Sequence, residues 1–164
     1  GDPAHRRQHD RMTYPYGISD LLDEHQRARL EATVISLGYS RTRSAAALVV
    51  DWAVHVSRLH AERELSPGQD HDAWNAHDHI AALLIRETVQ DALDQLDPEL
   101  RAVATRAVAR FDDLLISFTE PDEHRVLRRF AAEDAGQQWW WQRIPVSGPV
   151  RAELARYAER TARS

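Results

Sequence analysis

The stretch AAALVVDWAVHV, residues 45–56, decides the fold class. Apolar side chains occupy nearly every direction around it, and only Asp51 and His55 interrupt them. No alternation of period two runs through it, so it reads as a helix wrapped by other elements rather than as a half-buried strand. Extended outward, the helix spans residues 41–65, capped by Ser40 and stopped by Ser66-Pro67-Gly68. Upstream, Ser19 caps a helix over residues 20–37 that turns Leu21, Leu22, Leu30, Val34 and Leu37 to one side and ends at Gly38. Downstream, residues 76–96 carry an inner stripe of Ala81, Leu84, Ile85, Thr88, Val89, Ala92 and Leu96, with Arg86 on the wet side. Asp97-Pro98 opens a fourth helix reaching about Phe118. Thr119-Glu120-Pro121 opens a fifth, ending near Gly136; residues 137–149 form no regular element, and residues 150–163 form a last helix. The expected architecture is all-α, a compact bundle of five to six helices.

Length and composition set the outer limits. With 164 residues, 43% of them hydrophobic, the chain suits one domain that buries roughly two-thirds of its unfolded surface. That domain is expected over residues 19–164, preceded by a flexible segment over residues 1–18 that has little apolar surface to bury. Met12, the one methionine, reads as a natural start, with residues 1–11 a leader or linker. No cysteine is present, which excludes disulfides, thiol chemistry and cysteine-held zinc. The longest strictly apolar runs, residues 45–50 and 80–85, fall far short of the about 20 residues a membrane span needs. No apolar stretch follows the N-terminal arginines, so no secretory signal is read there and the expected location is cytoplasmic. All 21 basic residues are arginine, the mark of a GC-rich bacterial genome or of selection against amines, and either way Schiff-base and phosphate-loop lysines are excluded. A net charge of −5 argues against a nucleic-acid coat, and no cofactor is expected.

Three constellations could carry function. Asp51, His55, Arg58 and Glu62 fall at i, i+4, i+7 and i+11, one polar stripe on the most buried helix, and Asp51, His55 and Arg58 are the pocket candidates. The segment HDAWNAHDH collects His71, Asp72, His77, Asp78 and His79, residue types that suit zinc, iron, nickel or manganese. Trp139, Trp140 and Trp141 would splay around a helix so that at least one is exposed, and exposed indoles mark binding surfaces. Arg143 and Tyr157 are placed at the edge of that aromatic patch.

Two resemblances add alternatives. The order His55, His77-Asp78, Asp112 resembles the HD-domain metal-dependent phosphohydrolases, in which the matching His and Asp residues hold the ion that activates water. The segment LGYSRTRS, with the helix before it and RMTYPYG further upstream, resembles the ribbon-helix-helix DNA-binding proteins. That resemblance implies a dimer in which Arg11 and Thr13 face bases while Ser40, Arg41 and Arg43 meet the phosphate backbone.

No catalytic constellation is complete. The expected function is therefore that of a small cytoplasmic α-helical interaction protein, non-catalytic, using the tryptophan surface for a protein partner or a homodimer. Membranes are excluded as partners and nucleic acid is not favoured; the alternatives are the DNA-binding regulator and the metal-dependent phosphohydrolase.

Overall fold

The computed structural model describes Ile18, residues 21–66 and residues 73–163. Ser19 and Asp20, expected to open the first helix, lie outside the described residues, as do Arg11 and Thr13. Ile18 is fully buried.

The first described helix, α1 (Glu24–Ala32), starts at Asp23. The Asp23 carboxylate accepts the Gln26 N–H at 2.7 Å, and the Gln26 side chain accepts the Asp23 N–H at 3.0 Å. The helix stops at Thr33, well before Gly38. The β-branched run Thr33-Val34-Ile35 lowers helix propensity, and an extended path buries Ile35. Strands β1 (Val34–Ser36) and β2 (Thr42–Ser44) then pair antiparallel, with Val34 opposite Ser44 and Ser36 opposite Thr42. Gly38, Tyr39 and Ser40 close the loop with φ of 83°, 53° and 60°. The expected helix-to-helix turn is therefore a hairpin, and Ser40 caps nothing. Ser44 is the cap of α2 (Ala45–Ala61), accepting the Ala47 N–H at 3.1 Å.

Helix α2 is the centre, as its apolar circumference requires. It packs against α1, α3 (Ala76–Gln95) and α4 (Pro98–Ser117), with Trp52, Ala53 and Val56 fully buried. Asn75 and Asp78 form a reciprocal cap at the start of α3. Asp97 caps α4, whose first residue is Pro98. Arg101 on α4 donates to the carbonyls of Leu93, Asp94 and Leu96, satisfying the open end of α3.

The C-terminal third departs most from expectation. Thr119-Glu120-Pro121 is strand β3 and pairs with β4 (Arg143–Pro145), with Glu120 opposite Ile144. Pro121 disfavours helical dihedrals at Glu120, and the next helix takes its cap later. Helix α5 (Val126–Ala131) begins where the Asp122 carboxylate accepts the N–H groups of Val126 and Leu127. Two 3-10 turns follow, Ala132–Asp134 and Trp139–Gln142, before the last helix α6 (Gly148–Ala162). Gly148 has φ of +90°, and a Cβ there would lie 2.6 Å from the Arg63 carbonyl oxygen. The protein is mostly helical, with six α-helices and two small two-stranded sheets among the described residues, so it is not purely all-α. One contiguous core cluster runs from Ile18 to Leu154. No helix among the described residues is long and apolar enough to cross a membrane.

Candidate functional site

Among the described residues, a concavity of about 750 Å³ lies between the β1–β2 hairpin and the α2–α3 pair. Leu37, Leu48 and Ile85 supply its apolar lining. Arg41 and Arg43 stand on the hairpin rim, and Asp91 and Asp94 on the α3 rim. Asp51 and His55 line it from α2, so two of the three pocket candidates do reach an open groove. Arg43 pairs with Asp51 at 2.8 Å. The Nδ1 of His55 lies 2.7 Å from the Asp51 carbonyl oxygen. A carbonyl only accepts, so Nδ1 carries the hydrogen and Nε2 of the neutral ring is left as an acceptor. Arg41 and Asp91, on opposite rims, make no ion pair among the described residues.

The rest of the polar stripe has a different task. The Trp74 ring sits 5.1 Å from His55 and 4.4 Å from the Arg58 guanidinium. Glu62 accepts both the Trp74 N–H at 3.0 Å and the Arg58 Nε at 2.9 Å. Arg58 is thus a brace that holds the segment entering α3 against α2, not a lining of the groove.

The tryptophan run is mostly interior, which corrects the expected surface patch. Trp140 and Trp141 are buried at 3% and 0% exposure, while Trp139 is half-buried and meets Trp140 edge-on at 5.6 Å. Trp141 donates its indole N–H to Glu87 at 2.6 Å. The Arg86 guanidinium lies 4.4 Å over the Trp140 ring and grips Asp112 through two bonds of 2.9 and 3.0 Å. The Trp52 indole donates to the same carboxylate at 3.1 Å. Burial raises the Asp112 pKa, and the bonds from Arg86 and Trp52 oppose that rise. Arg143 is committed to Thr119, donating to its hydroxyl and carbonyl oxygens at 2.9 and 2.8 Å. Tyr157 is half-buried, edge-on to Phe130 at 5.2 Å. These five residues plug and clamp the C-terminal third instead of presenting one face.

The metal alternative loses its geometry. His55 meets Trp74, the His77 ring packs 5.0 Å from Phe130, Asp78 caps α3 and Asp112 holds Arg86. No group of three or more His, Asp or Glu converges among the described residues. His71 and Asp72 lie outside them. His79 is buried with no partner for Nδ1, and burial lowers its pKa to about 4. The DNA-binding alternative keeps Arg41 and Arg43 near an exposed hairpin tip. Its helix-to-helix turn is replaced by the hairpin, and Ser40 lies in the hairpin loop with left-handed dihedrals.

The sequence reading missed Arg86, which it placed on the wet side. The buried stripe of α3 runs through His79, Ala82, Leu83, Arg86, Val89 and Leu93, rotated from the expected one, so Ala81 and Leu84 face out. The available signal was the spacing Ala82, Arg86, Val89, Leu93, which tolerates one arginine on an inner face. Asp91 and Asp94 were legible as exposed acids but not as a groove rim, because the hairpin opposite them was not expected. No family model, no curated protein and no solved structure matches this chain.

Proposed function

We propose that this chain is a small helical interaction protein that binds a protein partner at the hairpin–α2–α3 groove, not at the tryptophan run. One observation carries the reading: a groove that combines Leu37, Leu48 and Ile85 with rims of opposite charge, with Arg41 and Asp91 uncommitted among the described residues. Charges left open beside apolar surface are what a polar rim around a binding centre requires. Val54 and Leu84 support it; they are 43% and 38% exposed and stand on the helix faces of the lining residues Asp51 and Thr88, three and four positions away. Nucleic acid fits less well, because Asp91 and Asp94 would repel phosphate. Tagged chain recovered from its native cells tests the reading. A bound protein, whether another chain or an untagged copy, is expected to survive Trp139→Ser and to be lost with Arg41→Glu or Leu84→Ser. Retention by both groove variants overturns it.

A further inference from the structure

We infer that the partner this face fits is a second copy of the same chain, docked about a two-fold axis that runs along the groove. The inference rests on the reading that the groove is a binding surface and names its occupant. A two-fold axis in the plane of an interface carries each point of a face onto the opposite side of that axis, so an isologous contact must be self-complementary. In charge, the two rims of the groove meet this condition. Arg41 stands on the hairpin rim and Asp91 on the α3 rim, across a lining of Leu37, Leu48 and Ile85. Rotation brings Arg41 of one copy against Asp91 of the other, and the same pair forms again on the far side of the axis. Asp94 adds to the acidic rim, while Arg43 is already held by Asp51 at 2.8 Å and stays within its own chain. Val54 and Leu84, on the helix faces of Asp51 and Thr88, add exposed apolar surface beside the groove for two copies to cover.

Because both charges belong to one chain, a reciprocal reversal tests the proposal. Wild type, Arg41→Glu, Asp91→Arg and an equimolar mixture of the two variants are compared by native mass spectrometry over a concentration series. The wild type is expected to dimerise. Each variant alone faces like charges at both symmetric contacts, and its dimer weakens by about tenfold or more. In the mixture one contact is native and the other is fully reversed, so a heterodimer of distinct mass returns. Leu84→Ser, which changes no charge, is also expected to weaken the dimer. A wild type that stays monomeric up to about 100 µM, well above the micromolar range of a specific contact, overturns the inference. The groove reading survives that result if Arg41→Glu still loses a different bound protein. A dimer indifferent to both reversals overturns the inference, as does one lost in each variant and not restored by mixing. Unchanged circular dichroism of these exposed-rim variants ties any loss to the interface.

Discussion

His79 is fully enclosed on α3, its Nδ1 has no hydrogen-bond partner, and burial lowers its pKa from 6.5 to about 4. The neutral ring is therefore the form that the fold accepts, while the unfolded chain binds a proton near pH 6.5. Between those values the unfolded state holds more protons than the folded state, so stability falls as pH falls. The contribution is fully present above pH 6.5 and fully lost below about pH 4. A shift of this size corresponds to about 3 kcal/mol, most of which is gone by pH 4.5. His79→Leu removes the titration and the orphaned nitrogen together, at a repacking cost of about 1.5 kcal/mol or less. Urea unfolding followed by circular dichroism at pH 7.5, 6.5, 5.5 and 4.5 reads the difference. The two proteins are expected to be of similar stability at pH 7.5 and to diverge steadily below pH 6.5, with the wild type falling faster. Parallel curves across that range would refute the claim that this ring is held neutral by burial.

Three further outcomes follow from the packing. Asp112→Asn leaves the buried Arg86 guanidinium without its counter-charge and is expected to cost about 3–5 kcal/mol, whereas Arg86→Met with Asp112→Leu costs much less; thermal melts of the three proteins decide it. Ser44→Ala is expected to lose about 1 kcal/mol as the α2 cap disappears, and Ser40→Ala less than about 0.5 kcal/mol, a contrast that chemical denaturation resolves and that reverses if Ser40 is the cap. Gly148→Ala combines a left-handed backbone with a Cβ 2.6 Å from the Arg63 carbonyl oxygen, so a loss of about 2 kcal/mol or more is expected in the same assay.

The helical body was legible because its signals are local. Asp97-Pro98 starts α4 and the wholly apolar stretch of α2 becomes the centre, as short-range preferences dictate. The two sheets were not legible. Each strand has three residues, too few for an alternating pattern to register, and β3 pairs with β4 across the whole of α5 and the tryptophan turn. The interior place of Trp140 and Trp141 was hidden for a related reason. Three indoles in a row predict exposure only if the segment is a helix, and the chain instead makes a 3-10 turn that inserts two of them beside Arg86 and Glu87.

What the sequence determined by itself is therefore the material of the site: a buried helix carrying Asp51 and His55, exposed acids near the end of α3, and arginines after Gly38. Only the tertiary structure decided that these meet. Residues 37–41 turn back on left-handed dihedrals rather than continuing from helix to helix, and that reversal sets Arg41 across an open groove from Asp91. Composition and periodicity report which side chains avoid water. They do not report which rim faces which, because that depends on how segments about fifty positions apart in the chain pack around α2.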